Sequence, residues 1–273
     1  MPNQRTDAPP PDLRIVPTNH IFPHEDHDSQ RAMPLIKRLK HEKFVINPPL
    51  VAPMDANQYV VLDGANRYYA FAHLEYPHML VQVAPYESNY VELLTWRHIV
   101  SEWDADAFIH HLEALHRIQL VEGQDSRAIA HILFHNGRVL ALRAPVQDTH
   151  ERNAALREVV SIYQRNATLY RTALSEMADI WPLYPDALAV VVFPEYQPAD
   201  IIAAARYQAF LPPGISRHIV HGRALRVNYP LDWLRDTTAT LEAKSQQLKT
   251  WMQQKLAARQ VRYYAEATYQ FDE

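Results

Sequence analysis

The chain has 273 residues, enough to bury one large hydrophobic core or two small ones. Hydrophobic residues at 48% and charged residues at 21% are those of a globular protein, and a net charge of -4 gives no general attraction to nucleic acid or to an anionic membrane. Cysteine is absent, which excludes disulfides, thiolate chemistry and a Cys-ligated zinc site.

Met1 to Asp12 is polar and proline-rich, reads as a disordered leader, and carries no apolar run of the signal-peptide kind. No stretch approaches the ~20 apolar residues of a membrane span, so the expectation is a cytoplasmic protein with neither membrane nor nucleic-acid partner. Leu13 to Val16 reads as a short strand and Asn19 to Asp28 as a polar loop. Ala32, Leu35, Ile36 and Leu39 have helical spacing, with Lys37, Arg38 and Lys40 on the other face. Pro34 fits only a first turn, so this helix is expected to start near Ser29 to Arg31 with Asp28 as a candidate N-cap; Asn47-Pro48-Pro49 stops it. Leu50 to Pro53 and Gln58 to Leu62 read as strands joined by the turn Asp55-Ala56-Asn57. Asp63-Gly64 breaks the second strand, a helix begins at Asn66, and Met79 to Val83 reads as a further strand. Strand, helix, two strands, helix and strand make a compact α+β unit.

Val91 to Leu120 reads as largely helical. Arg127 to Phe134 and Arg138 to Ala144 flank His135-Asn136-Gly137, a hairpin signal. Val146 to Ala178 reads as one long helical stretch, Ala187 to Phe193 as a buried strand, and Pro198 to Ala209 as a helix opened by proline. Leu211 to Tyr229 is irregular, and Leu231 to Gln260 closes the chain with an amphipathic helix. The aromatics Tyr263, Tyr264 and Tyr269 read as packing residues or an oligomer contact.

Three segments hold residues suited to chemistry. Where the strand ending at Leu62 runs through Asp63-Gly64 into a helix, the helix N-terminus offers unpaired N–H groups to a phosphate. Gly64 permits close backbone approach, and Arg67 adds a forked donor. Asp63 beside phosphates calls for a divalent cation, here Mg2+, between them. The alternative is structural: Asp63 and Asn66 cap the helix and Gly64 makes the turn. In Pro23-His24-Glu25-Asp26-His27-Asp28-Ser29-Gln30-Arg31, Glu25 suits a general base for a hydroxyl nucleophile, and Arg31 suits a phosphate or a carboxylate. A solvated acidic loop explains the same letters, and a metal site built on His20, His24 and His27 is a weaker third reading. Leu211 to Asn228 places Gly214, Gly222 and the arginines Arg217, Arg223 and Arg226 in an otherwise apolar run, suggesting a binding loop or surface salt bridges.

Together these segments resemble the free L-serine kinases of the ParB/sulfiredoxin-like superfamily, and within them the bacterial, siderophore-type branch. The resemblance rests on Pro23-His24-Glu25, Asn47-Pro48-Pro49, Leu62-Asp63-Gly64-Ala65-Asn66-Arg67, Thr95-Trp96 and Gly214-Ile215-Ser216-Arg217-His218, and it spans Leu13 to Pro230. It implies an α+β protein in which a ParB/sulfiredoxin-like nucleotide unit with a small mixed sheet, residues 13–90, packs against a second α+β unit, residues 91–273, on the substrate side. Glu25 matches the catalytic base, and Asp63 the acidic residue of the magnesium–phosphate centre. Gly64, Ala65, Asn66 and Arg67 match the phosphate-binding turn, to which Arg31 is added. Trp96, Ser216, Arg217 and His218 match the serine-side wall, with the serine carboxylate near Arg217 or His218. Two departures stand out: the archaeal enzyme has two histidines where this chain has Ala65-Asn66, and Ser216 replaces a threonine. The implied reaction is ATP-dependent phosphorylation of L-serine, with ADP the lesser candidate as donor. Two other readings are a kinase for another small hydroxyl compound and a ParB-like nucleotide-binding module of DNA partition or regulation. Against the last stand the acidic charge and the lack of a helix-turn-helix after the first unit.

Overall fold

The structure is a computed structural model that describes residues 9–27, 29–145 and 148–264. The start of the leader, the candidate N-cap Asp28, Val146 and Tyr269 lie outside the described residues. The chain divides into two compact units: one takes the chain up to Phe22, His27–Glu92 and the segment from Ile219 onward, the other Pro23–Asp26 and Leu93–His218.

In the first unit the order is β1 (Asp12–Pro17), β2 (Ile21–Pro23), α1 (Ser29–Leu39), β3 (Phe44–Val45), β4 (Leu50–Asp55), β5 (Gln58–Asp63), α2 (Ala65–His73) and β6 (His78–Val83). Five of these strands form a sheet in the order β1-β6-β4-β5-β2. β1 runs antiparallel to β6 and β4 antiparallel to β5, whereas β4 and β6 are parallel, so the sheet is mixed. Tyr59 to Leu62 are buried without alternation, the pattern of a strand covered on both faces. Asn57 turns the β4–β5 hairpin with φ +60°. Three features differ from the sequence reading. The loop expected over Asn19 to Asp28 contains β2, Pro34 lies deeper in α1 than its first turn, and α1 ends at Leu39, ahead of β3, rather than at Asn47-Pro48-Pro49.

The second unit contains the last three residues of β7 (Val91–Thr95), then β8 (Arg97–Ser101), α3 (Ala105–Glu113), β9 (Gln119–Glu122), β10 (Ala130–Phe134), β11 (Val139–Arg143), α4 (Thr149–Asn166), β12 (Thr168–Thr172), α5 (Met177–Leu183), β13 (Ala187–Val192), α6 (Pro198–Arg206) and the first three residues of β14 (Ser216–Val220). Its sheet has six strands in the order β12-β8-β13-β10-β11-β9, all antiparallel neighbours. β7 and β14 pair separately with each other. The helix expected over Val91 to Leu120 is instead two strands, one short helix and the start of β9. The helix expected over Val146 to Ala178 stops at Asn166 and gives way to β12. Both strand segments find partners far away in sequence, since β8 lies between β12 and β13.

The chain then returns to the first unit with β15 (Tyr229–Pro230), α7 (Leu231–Arg235) and α8 (Leu241–Ala257). β15 pairs with β3, and Tyr229, Leu231, Leu234 and Leu248 join the core built on Ile15, Val61, Phe71 and Met79. The single closing helix expected over Leu231 to Gln260 is broken at Asp236, whose carboxylate accepts from the Thr238 N–H at 2.8 Å. Thr240 then caps α8 through the Ala243 N–H. The fully buried Lys244 ammonium donates to the Leu234 carbonyl at 3.0 Å and the Asp236 carbonyl at 2.5 Å, satisfying the end of α7. No helix among the described residues is long and apolar enough to cross a membrane.

Candidate functional site

The turn singled out in the first unit is built as a strand end followed at once by a helix start. Gly64 stands between β5 and α2 with φ +99° and, having no side chain, makes no side-chain cap to the helix. Asp63 instead faces two guanidinium groups. Its Oδ2 accepts from Arg67 Nη2 at 3.1 Å and from Arg223 Nη2 at 3.0 Å, and neither bond uses Oδ1. The carboxylate is 52% exposed, against 27% for Arg67 and 18% for Arg223. Burial pushes the Asp63 carboxyl up, but the two arginines outweigh it and hold its pKa below the ordinary carboxylate value. Burial lowers the pKa of Arg223, and Asp63 opposes that shift.

The Asn47-Pro48-Pro49 motif gains a physical role here. Arg67 Nη1 donates to the Asn47 carbonyl at 2.5 Å, and Arg223 Nη2 to the Pro48 carbonyl at 2.7 Å. Asn47 Oδ1 also accepts the Arg226 N–H at 2.9 Å. Buried Gln82 on β6 completes the seat: its Oε1 accepts from Arg223 Nη1 at 3.2 Å and from the Ala224 N–H at 2.8 Å, while its Nε2 donates to the Gly222 carbonyl at 3.0 Å. The structure thus brings together Asp63, Gly64, Ala65, Asn66, Arg67 and Arg223, with Asn47 and Gln82 behind them. Arg31 stands exposed in the first turn of α1. Arg223, Asn47 and Gln82 were not assigned to this turn from sequence. The Gly222-Arg223 loop and the Asn47 motif are visible in the sequence, but the meeting of Arg223 with Asp63, 160 residues away in the chain, is not.

In the second unit Glu25 is fixed by its backbone and by its carboxylate. The Leu211 N–H donates to the His24 carbonyl and the Asp26 N–H to the Leu211 carbonyl, both at 2.9 Å, which locks Glu25 beside Leu211. Glu25 Oε2 accepts the Gly214 N–H at 2.9 Å. Buried His24 meets Ser216 with Nε2 2.6 Å from Oγ, and its ring lies edge-on to His218 with centroids 5.7 Å apart. The Arg217 guanidinium lies over the Trp96 ring, 4.9 Å from its centroid, a cation–π pair. Glu25, Trp96, Ser216, Arg217 and His218 therefore belong to this unit, and His24 joins them. A carboxylate held by an N–H, a hydroxyl on a buried imidazole and a stacked guanidinium are groups suited to holding and deprotonating a small hydroxy acid.

The loop that carries Gly214 is pinned carbonyl by carbonyl. Asn153 Nδ2 donates to Ala209, Arg157 to Phe210, Arg171 Nη2 to Pro213 at 3.0 Å, and His98 Nε2 to Gly214 at 2.9 Å. His98 is fully buried, with Nδ1 2.7 Å from the Tyr163 hydroxyl, and burial depresses its pKa to about 4. It is therefore neutral above that value. The Gly214 carbonyl fixes its proton on Nε2, so Tyr163 donates to Nδ1. Among the described residues no group of three or more His, Cys, Asp and Glu side chains is arranged to hold a metal ion.

No protein-family model matches the chain. Its sequence is 26% identical over 248 residues to the ATP-dependent L-serine kinase SbnI of Staphylococcus aureus, covering 88% of this chain and 89% of that protein. The structure of SbnI with a C-terminal truncation, from the same organism, superposes with a TM-score of 0.71 at 21% identity, over 90% of this chain and 97% of that one. A free serine kinase in complex with AMP superposes with a TM-score of 0.70 at 14% identity, over 85% and 98% of the two chains. The likeness to SbnI in sequence covers 88% of the chain, and the likeness of fold to the two solved structures covers 85–90% of it.

Proposed function

We propose that this chain is an ATP-dependent kinase that transfers the γ-phosphoryl group of ATP to the hydroxyl of free L-serine, giving O-phospho-L-serine and ADP. The observation that carries the reading is the likeness to SbnI across nearly the full length of both chains. The site geometry supports it independently: one unit offers a helix N-terminus with two arginines, and the other a carboxylate, a hydroxyl and a stacked arginine.

In this reading Gly64, Ala65 and Asn66 present the N-terminus of α2 to the phosphates, and Arg67 and Arg223 neutralise their charge. Magnesium suits one half-exposed carboxylate together with phosphate oxygens and retained waters, and Asp63, whose Oδ1 is outside both arginine pairs, is the residue that would hold it. The ion would supply charge neutralisation between phosphate oxygens. Arg217 or His218 receives the serine carboxylate, and Ser216 and Trp96 complete that wall. Glu25 accepts the hydroxyl proton as the bond from serine oxygen to the γ-phosphorus forms. The bond from that phosphorus to the β–γ bridging oxygen breaks, and ADP leaves with its electron pair. Positioning and charge neutralisation supply most of the acceleration.

The test is acceptor selectivity. With ATP and magnesium in excess, L-serine should be phosphorylated at a kcat/KM at least about tenfold above L-threonine, L-homoserine and glycerol, a discrimination of about 1.4 kcal/mol. Preference for another acceptor would replace the substrate. Salt-sensitive, site-specific DNA binding without turnover would replace the reaction class.

A further inference from the structure

We propose that Arg171 and His98, acting through the two peptide groups of Gly214, are positioning residues for the Glu25 carboxylate. This inference rests on the reading of Glu25 as the base. It concerns residues that no motif in the sequence singles out.

Arg171 on β12 and His98 on β8 stand opposite each other in the antiparallel ladder. Both reach the same glycine from that position. The Pro213–Gly214 peptide has its carbonyl on Arg171 Nη2 at 3.0 Å and its N–H on Glu25 Oε2 at 2.9 Å. One peptide plane therefore carries a cation at its oxygen end and a carboxylate at its nitrogen end. That arrangement fixes the plane and polarises it in the direction that strengthens the N–H as a donor. The next carbonyl, that of Gly214 itself, accepts from Nε2 of the neutral His98 at 2.9 Å, whose Nδ1 accepts in turn from the Tyr163 hydroxyl. With both flanking peptides fixed, the Gly214 N–H cannot swing away from Glu25.

With Arg171 bonded to Pro213, only glycine fits this position. Gly214 has φ +77°, and a Cβ added there would lie 2.1 Å from Arg171 Cζ. The guanidinium thus occupies the space that any other side chain would need. Gly137 in the β10–β11 turn has a similar φ of +84°, yet a Cβ added there would meet nothing within 4 Å, so positive φ alone does not explain the close approach.

The other titratable groups on the elements around Glu25 are Asp26, whose carboxylate lies 3.8 Å from Arg157, and His24, His218 and Arg217. An N–H donated to a carboxylate favours its charged form, so losing this bond raises the pH at which the base becomes active. The experiment is the pH profile of kcat/KM for L-serine with ATP and magnesium, measured for the parent protein, Arg171→Gln, Arg171→Lys and Glu25→Gln. Arg171→Gln should move the acid limb upward by about one pH unit and lower kcat roughly tenfold at pH 7, with ATP affinity unchanged. Arg171→Lys, which keeps a cationic donor, should restore most of the limb. A residue that only stabilises the fold would lower the amount of active protein without moving the limb. An unmoved limb in Arg171→Gln overturns the proposal. Should that variant not fold, His98→Asn decides in the same assay, with an upward shift supporting the proposal and none overturning it. Glu25→Gln separates the two claims: if it retains full turnover, the assignment of the base fails, whatever Arg171 does. If it loses turnover while the Arg171 and His98 limbs stay in place, only the positioning claim fails.

Discussion

Adding one methyl group at two glycines separates backbone strain from the packing of the Glu25 loop. Gly137 and Gly214 both have positive φ, +84° and +77°, so alanine at either position costs about 1–2 kcal/mol for a left-handed backbone. At Gly137 nothing lies within 4 Å of the new methyl, and that strain is the whole effect. At Gly214 the methyl would sit 2.1 Å from Arg171 Cζ, so the guanidinium must leave and its bond to Pro213 is lost. A hydrogen bond to a charged group is worth about 1.5–3 kcal/mol, which takes the total for Gly214→Ala to about 2.5–5 kcal/mol. Urea unfolding followed by far-ultraviolet circular dichroism should show that gap between the two variants, read from the midpoints at equal slope. Serine-dependent turnover should persist in Gly137→Ala and fall at least tenfold in Gly214→Ala at a temperature where both are folded. Equal destabilisation and equal turnover in the two variants would refute the argument that Arg171 and Gly214 form one device.

Glu25→Gln should lower turnover by about 10²–10⁴-fold with nucleotide affinity unchanged, whereas Asp26→Asn, removing a neighbouring charge, should change it far less; initial rates and ATP titrations measure both. Asp63→Asn should abolish magnesium-dependent turnover yet tighten ATP binding in the absence of magnesium, because Arg67 and Arg223 are released to the phosphates; calorimetry with and without chelator shows the two signs. Because the arginines hold Asp63 below its ordinary pKa, its stabilising contribution is present above the unfolded value near ~3.9 and fades as pH falls through the lower folded value. The melting temperatures of the parent protein and Asp63→Asn should therefore differ by a constant amount from about pH 8 to 5 and converge below about pH 4. Arg223→Ala should weaken ATP binding about tenfold, which equilibrium titration reads directly.

The phosphate turn was legible because its signals are local: a valine-rich strand, Asp63-Gly64 and a helix start lie within a few residues of one another. The β4–β5 hairpin and the Asn136-Gly137 turn were legible for the same reason. Val91 to Ser101 was misread because its Leu, Glu, His and Arg residues suit a helix, while the strand character of β8 comes from β12 and β13, which lie about 70–90 residues further along the chain. β12 was missed because α4 ends at Asn166-Ala167 with neither glycine nor proline to mark the stop. Arg223 lay in a segment recognised as a binding loop, but its pairing with Asp63 is a tertiary fact. The same holds for Arg171 and His98, whose meeting at Gly214 depends on the register of two strands.

Transfer from ATP to L-serine can be followed directly by phosphorus NMR of the purified protein with ATP, magnesium and L-serine. An O-phospho-L-serine resonance should grow in step with ADP, one for one, and no phosphoryl transfer should occur when serine is omitted. ADP and inorganic phosphate formed at the same rate with and without serine, or no change in ATP at all, would contradict it.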